Sequence, residues 1–569
     1  MPIGGGCRKM AKGKTIVVGG GIAGLTAAER LGQAGVEVVL LEKADRLGGR
    51  VANLHRYYPR LCPPRCGLEV LLNSIDNLSN VEVLLSTEIA GVQKKSPGIY
   101  TVFLRDLKRE ADPYEIEAGG LILATGAELY NAAKISEYGY GNLPGVITSM
   151  ELESLLRPEG PTGGRLVHPV TGKPVRRVAF IQCAGSRDKN HLSYCSGYCC
   201  TVTLKQIEYL HRECKDVSTW IFYRDIRTPG SKEEYYRHVR EEYSPVFVRG
   251  MPSSIDGAGE GLTVRADDTL SGKKVEGNFD LVVLATGMVP SELPDIEGLE
   301  KDGHGFFPGH IPCAPTELRR SGIWAAGCAQ QPMDVEDSVR SALSAVAQCL
   351  VRLQQENTVY PEVNKKKCDH CGRCVKECPY GACVLGPDGY PEIYPGDCRG
   401  CGVCQGGCPL SCLNLPGQGM KKIEDVVDKV LSGDVPGPAV LLFLCSNDAY
   451  PAWNRLVRKD EAKEVLKGVM PISVPCIGSV NMAWINEALI GGLDGVMLAG
   501  CHPGQCHHGG GANHADTRLQ NLKETLGRMM IEPERLCLTG ITIDDSDRLF
   551  SEIKRFSDVL AKLGPSPFK

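Results

Sequence analysis

One cysteine pattern, Cys-x2-Cys-x2-Cys-x3-Cys-Pro, occurs twice in this chain and restricts its fold more than any other feature. The first copy is Cys368, Cys371, Cys374 and Cys378 followed by Pro379; the second is Cys398, Cys401, Cys404 and Cys408 followed by Pro409. Three closely spaced thiolates on a tight loop can face one iron-sulfur cubane, and in two-cluster ferredoxins the fourth cysteine of each run crosses to the other cluster. The expected sets are therefore Cys368, Cys371, Cys374 and Cys408 for one [4Fe-4S] centre, and Cys398, Cys401, Cys404 and Cys378 for the other. Zinc also accepts Cys-x2-Cys pairs, but two complete runs closed by Cys-Pro favour iron-sulfur. Cys383 and Cys412 are extra to the pattern and read as plain core residues. Two clusters in series make an electron conduit.

The 569 residues give room for about three or four folding units at roughly 150 residues each. A formal charge of -4, with 23% charged and 42% hydrophobic residues, fits soluble domains and argues against nucleic acid as a partner. No apolar run approaches the roughly 18 residues of a membrane span, and the start MPIGGGCRKMAKGK has no apolar core of a secretory leader. The 26 cysteines cluster at short spacings, which suits metal or redox use in a reducing compartment better than a disulfide scaffold. A cytoplasmic protein with no transmembrane segment of its own is expected.

Thr15 to Gly24 reads as an apolar strand running into a glycine turn, followed by a helix from Leu25 to Ala34 and a strand from Val36 to Leu41 that ends at Glu42. In Gly19-x-Gly21-x-x-Gly24, the first glycine permits the turn, the second lets a pyrophosphate approach, and the third lets helix and strand pack closely. Glu42 stands where a carboxylate can accept ribose hydroxyls. Leu121 to Gly126 and Leu281 to Gly287 are near copies, each a short apolar strand stopped by Thr-Gly, so two related α/β halves are expected. A helix is expected from Asp337 to Gln354.

The expected division is a nucleotide-binding region over 1–360, with its second half at about 150–290. A cysteine-rich α+β module follows at 361–415, then a linker at 416–434 that includes a short amphipathic helix from about Lys421 to Leu431. The last unit is α/β at 435–569, with strands at Ala439 to Cys445, Ile472 to Cys476 and Gly495 to Ala499.

The first half resembles the flavin-binding half of the two-dinucleotide-binding-domain, thioredoxin reductase-like flavoproteins. Leu47-Gly48-Gly49-Arg50, Ala124-Thr125-Gly126 and Gly322-Ile-Trp-Ala-Ala-Gly327 all fit that pattern, although Cys328 stands where such enzymes often have Asp. The resemblance implies FAD, held by Gly19, Gly21, Gly24, Glu42, Gly49, Arg50, Thr125, Gly126, Gly327 and Cys328. The strand from Arg177 to Ile181 instead meets Gln182-Cys183-Ala184-Gly185-Ser186-Arg187, whose side chains fill the turn that would admit a second pyrophosphate. With Cys195, Cys199 and Cys200 downstream, Cys183 completes four thiolates for a further [4Fe-4S] cluster near the flavin. Inert buried cysteines are the plainer reading, and Cys62 and Cys66 offer a second choice of ligands or a redox pair.

In the last unit, Cys445, Cys476, Cys501 and Cys506 fall at or beyond strand ends and would suffice for a [2Fe-2S] cluster. His502, His507, His508 and His514 admit zinc or a mixed site, or simple exposure in a glycine-rich loop.

The glycine turn, Gln182 to Asp188, Tyr194 to Cys200, Tyr223 to Gly230, Ala326 to Gln330 and the double cysteine run together resemble the heterodisulfide reductase A subunits over about residues 14–415. The last 130 or so residues look like the delta subunit of methyl-viologen-reducing hydrogenase, through Gly492 to His502 and Gly504 to His507. The fusion is similar to the B subunits of the quinone-interacting membrane-bound oxidoreductase complex. These resemblances imply an oxidoreductase component with FAD and iron-sulfur clusters that passes electrons among other redox subunits of a larger complex. A membrane subunit would be reached only through a partner, and some relatives split an electron pair between two acceptors. Delta subunits usually have a cysteine where this chain has Asp448. With the glycine turn at Gly19, the extra N-terminal cluster domain of some A subunits is expected to be absent. Two other classes stay open: an NAD(P)H-dependent disulfide reductase exchanging through Cys62 and Cys66 or Cys199 and Cys200, and a scaffold whose last unit only docks partners.

Overall fold

The apolar run Lys14–Val18 is buried at four of its five positions, as a strand covered on both faces of a parallel sheet must be. In the computed structural model it pairs in parallel with Val38–Glu42 on one side and Tyr114–Leu123 on the other, with Ile16 opposite Val39 and Leu121. The structure describes residues 14–568 except 97, 110–111, 259–260, 297–298, 310–314, 319, 355–358, 396 and 433–436. The first 13 residues, the end of the expected linker at Gly433 and Asp434, and the first two residues of the expected last unit lie outside the described residues. By internal contacts the chain divides into two units, Met1–Leu353 and Gln354–Lys569.

In the first unit, the first sheet has the order Val81–Leu85, Val38–Glu42, Lys14–Val18, Tyr114–Leu123, Ile99–Asp106, Thr87–Ser96, and Ile323–Ala325 also pairs with Tyr114–Leu123. A second sheet, parallel throughout, has the order Val246–Val248, Ser218–Phe222, Arg177–Ala184, Leu281–Thr286, Val146–Thr148. The two near-copy segments thus become interior strands of two separate sheets, Tyr114–Leu123 and Leu281–Thr286. A three-stranded antiparallel sheet, Pro252–Ala258 with Gly261–Asp268 and Lys273–Phe279, completes the second half. The helix Val335–Gln354 starts two residues before the expected Asp337, because the Asp334 carboxylate accepts from the Asp337 amide at 2.9 Å and caps the first turn.

The second unit holds a four-stranded parallel sheet in the order Val469–Val474, Val440–Cys445, Gly495–Gly500, Leu536–Gly540. Two strands differ from expectation. The strand sought at Ile472 begins at Val469, because Pro471 lies on an edge strand where its missing N–H breaks no ladder, and it ends before Pro475. Leu536–Gly540 is a fourth strand, too short to carry an alternating signal. Among the described residues, the cysteine-rich stretch adds two small antiparallel ribbons, Glu362–Val363 with Leu413–Asn414 and Cys383–Leu385 with Pro391–Ile393. Among the described residues, no helix is long and apolar enough to cross a membrane.

Close packing of the first crossover rests on Gly24, in the helix Ile22–Gln33: a Cβ there would sit 1.7 Å from the Gly19 carbonyl oxygen. Gly67, in the helix Arg65–Asp76, would meet nothing within 4 Å. Gly24→Ala is expected to destabilise the first unit by about 1–3 kcal/mol or more. Gly67→Ala is expected to stabilise it by about 0.4–1 kcal/mol. Urea denaturation of both variants checks the contrast.

Candidate functional site

The first glycine turn leaves the start of its helix open. Gly21 is the N-cap of Ile22–Gln33 with no side-chain hydrogen bond to the first amides, and a Cβ at Gly21 would meet nothing within 4 Å. Free amides at an uncapped helix start suit a phosphate. Glu42 is buried at the end of the neighbouring strand, where Oε2 accepts from the Gly20 amide at 2.7 Å and Oε1 from the Ala44 amide at 2.8 Å. A carboxylate keeps further lone pairs on both oxygens, so these bonds orient Glu42 and leave it able to take hydroxyls. Gly49 packs closely against the Gly21 backbone, and Arg50 donates to the Ala127 carbonyl just beyond Thr125 and Gly126. The Gly327 amide donates to Ser341 Oγ at 3.1 Å. Cys328 Sγ lies 3.3 Å from the Met333 carbonyl, and burial pushes its thiol pKa up.

A cavity of about 460 Å³ opens beside this turn, lined by Arg50, Tyr57, Tyr58, Tyr198, Glu153 and Lys205 among others. Its wall holds an ion pair that the sequence reading missed. Lys205 Nζ lies 3.1 Å from Glu153 Oε1, with the side chains 4% and 1% exposed. Lys205 also donates to the Arg56 carbonyl at 2.6 Å. Glu153 accepts from Tyr209 Oη at 2.7 Å, Gln206 Nε2 at 2.8 Å and the His55 amide at 2.9 Å. Burial alone would raise the Glu153 pKa, but Lys205 and these donors hold it below the ordinary carboxylate value. The two partners lie 52 positions apart on the helices Ser149–Leu156 and Cys199–Glu213, so neither periodicity nor spacing announces them.

At the second turn, Cys183, Cys195, Cys199 and Cys200 line one small cavity together with Arg187, Asp225 and Arg227. Cys183 has φ +54°, a left-handed conformation rare for a side-chain-bearing residue. Cys195 Sγ accepts from the Gly197 amide and Cys200 Sγ from the Arg227 amide, both at 3.4 Å. Burial raises Cys183, Cys199 and Cys200, the last to about 11. Cys62 is half-buried, Cys66 is exposed, and neither lines this cavity.

In the second unit, the two cysteine runs fold alike. Gly372 and Gly402, both in the left-handed region, start the short helices Arg373–Lys376 and Val403–Gly406, which carry Cys374 and Cys404. Cys378 lines a cavity with Cys398, Cys401 and Cys404, and Cys408 packs with Cys368 and Cys374. Cys378 therefore lies with the second run's triplet, and Cys408 with two of the first run's three cysteines. Cys371 is exposed next to them in sequence. Cys383 and Cys412 are buried as expected, yet both pack among these thiols, with Cys412 Sγ 3.2 Å from Cys408 Sγ. Burial pushes Cys401 up to about 12.

The fourth cysteine group forms where parallel strands end, the usual place for loops to converge in an open α/β sheet. Cys445 Sγ and Cys501 Sγ are 3.8 Å apart, as are Cys476 Sγ and Cys506 Sγ. Asp448, Cys501 and His507 bring one ligand atom each within 4.8 Å of one another. His508 Nδ1 instead bonds Tyr380 Oη at 2.9 Å, and His502 Nε2 lies 3.5 Å from Arg548. Of the histidines considered, only His507 reaches this group. Buried sulfurs of like charge favour the protonated thiol, and a bound metal reverses that preference. The donor chemistry at all four groups suits thiophilic metal clusters.

Three family models match parts of the chain: methyl-viologen-reducing hydrogenase, delta subunit, over residues 440–564; an NAD(P)-binding Rossmann-like domain over residues 17–81; and a 4Fe-4S binding domain over residues 360–382. The A subunit of the ferredoxin/F(420)H(2)-dependent CoB-CoM heterodisulfide reductase of Methanosarcina acetivorans is 29% identical across 98% of this chain and 81% of its own length. An iron-sulfur A subunit of the CoB-CoM heterodisulfide reductase of Methanopyrus kandleri is 32% identical across 65% of this chain and 70% of its own. Among solved structures, thioredoxin reductase of Lactococcus lactis matches 60% of this chain and 98% of its own at 17% identity, with a TM-score of 0.43. This chain belongs to the family of heterodisulfide reductase A subunits.

Proposed function

We propose that this protein is the FAD- and iron-sulfur-dependent electron-transfer subunit of a heterodisulfide reductase-like or quinone-interacting complex, working on the cytoplasmic side with other redox subunits. The placing of Cys378 beside Cys398, Cys401 and Cys404 carries this reading, because an exchange of fourth cysteines is how two cubanes share one small module. In this reading Cys368, Cys371, Cys374 and Cys408 hold the second cubane of that module. Cys183, Cys195, Cys199 and Cys200 hold a third, and Cys445, Cys476, Cys501 and Cys506 hold a [2Fe-2S] centre. FAD, when bound, supplies the two-electron chemistry, and the clusters take electrons singly.

The chain's own part is binding and tuning. Gly19, Gly21 and Gly24 let the helix start approach the pyrophosphate, Glu42 takes the ribose, and Gly49, Arg50, Thr125, Gly126, Gly327 and Cys328 frame the remainder. Lys205, fixed by Glu153 and the Arg56 carbonyl, keeps a cation in the wall of the adjoining chamber. The side chain of Gln182, its Nε2 bonded to Thr203 Oγ1 at 2.6 Å, and the left-handed Cys183 occupy the turn where a nicotinamide nucleotide would lay its phosphates.

Protein purified without oxygen is expected to contain FAD, acid-labile sulfide and both cluster types by EPR. Cys401→Ser removes one cubane signal, and Cys501→Ser removes the [2Fe-2S] signal alone. Colourless protein without labile sulfide would end this reading. NADPH alone leaves the flavin oxidised in a stopped-flow absorbance trace; rapid bleaching would favour the disulfide reductase class. Glu153→Gln leaves Lys205 as a buried unpaired ammonium and costs about 3–5 kcal/mol at neutral pH. Because Glu153 is held below its ordinary value, its contribution is complete above that value and is lost as pH falls through the lowered one. Denaturation curves should therefore show the acid-dependent loss in the parent protein and not in the variant.

A further inference from the structure

The helix Gly511–Arg528 drives one arginine into the packing between two cysteine groups of the second unit. Arg518 is 12% exposed at its side chain. Its Nη1 donates to the Gly478 carbonyl at 2.8 Å, and its Nη2 to Glu377 Oε2 at 2.5 Å and the Val403 carbonyl at 3.3 Å. Each partner belongs to a cysteine loop: Glu377 precedes Cys378, Val403 precedes Cys404, and Gly478 follows Cys476 by two positions. These bonds set the guanidinium against the backbone of both cysteine loops, one residue before Cys404 and two after Cys476. Its Nε is buried and finds no acceptor among the described residues.

Room for this group is reserved in the backbone. A Cβ on Gly406 would lie 2.1 Å from the Gly478 carbonyl oxygen that accepts from Arg518 and 2.4 Å from Arg518 Nη1, and one on Gly407 would lie 2.0 Å from Glu377 Oε2. The corresponding places in the first cysteine run are Lys376 and Glu377, so the cluster spacing itself does not demand glycine there. A buried arginine-glutamate pair contributes little net stability, since desolvation offsets much of its attraction. A role in the fold alone does not explain a buried donor left without an acceptor.

We propose that Arg518 is the shared counter-cation of two redox sites, the one at Cys378, Cys398, Cys401 and Cys404 and the one at Cys445, Cys476, Cys501 and Cys506. This rests on the reading above that both sites hold iron-sulfur clusters. Reduction adds one negative charge to a site, and a fixed buried cation nearby favours that charge at both. The Nε–H is the donor available to a cluster sulfur, and Glu377 moderates the cation's field while holding the guanidinium in place.

EPR-monitored redox titration of the full-length protein, with iron and sulfide counted for each variant, tests this. Arg518→Gln is expected to weaken the reduction equilibrium of both sites about tenfold, or about 59 mV for a one-electron couple. The cubane at Cys183 to Cys200 should not move. Arg518→Lys keeps the charge while losing the fork, and should restore most of the shift. Glu377→Gln should move both potentials upward. Should Arg518→Gln fail to assemble its clusters, the Lys and Glu377 variants decide alone, and an unmoved Glu377→Gln would overturn the proposal. Normal iron content with unshifted potentials in Arg518→Gln would overturn it too, as would Arg518→Lys falling as far as Arg518→Gln. Parent protein that lacks iron at either site would instead overturn the reading beneath it, and this inference with it.

Discussion

Grouped thiols deprived of water govern the architecture of this chain. A thiolate entering such a group loses hydration and meets the charge of its neighbours, which is why Cys199, Cys200, Cys401 and Cys404 all hold their protons more tightly than a free cysteine does. Such a group is stable with a thiophilic cation in its midst or with all its protons in place. The groups at Cys183 and Cys445 accordingly sit where the backbone is already fixed by something else. The first hangs on the end of a central parallel strand and the start of the helix Cys199–Glu213, the second on three parallel strand ends. In both places the sheet supplies rigidity that loose loops could not.

The cysteine runs themselves have almost no core. Their two ribbons are two or three residues long, and their short helices span a single turn. They borrow support from the C-terminal sheet. Asn481 Nδ2 donates to the carbonyls of Gln405 at 2.9 Å and Cys408 at 2.8 Å, while its Oδ1 caps the helix Met482–Ile490. Gln405 Nε2 returns a bond to the Ser479 carbonyl at 3.3 Å. Side chains from both segments thus satisfy backbone groups of the other, which makes one packed body of what reads in sequence as two modules.

Repetition and uniform burial are what made parts of this structure legible in sequence. The double cysteine run, the glycine turn and the near-identical strand ends are local patterns whose physics acts over a few residues, and the first half's strands follow them closely. Legibility failed where an interaction joins distant positions. Glu153 and Lys205 meet only after two helices dock, and Arg518 and Glu377 are 141 positions apart. The strand Val469–Val474 begins three residues before the expected Ile472 and carries Pro471 within it, on an edge that sequence alone does not tell from a central strand. Cys383 and Cys412 looked like ordinary core residues, since burial and proximity to other thiols leave the same trace in composition.

The doubled bond of Asn481 couples motions of this unit that would otherwise be separate. One amide group bridges the loop that carries Cys408 and the helix that follows the Cys476 turn, so neither can lift without stripping two buried carbonyls of their donor. Opening of the cysteine loop is thereby tied to opening of the sheet behind it, as a single cooperative step. Dioxygen and chelators reaching the sulfurs through such fluctuations would find a barrier set by the larger element, far above what two short ribbons could raise alone.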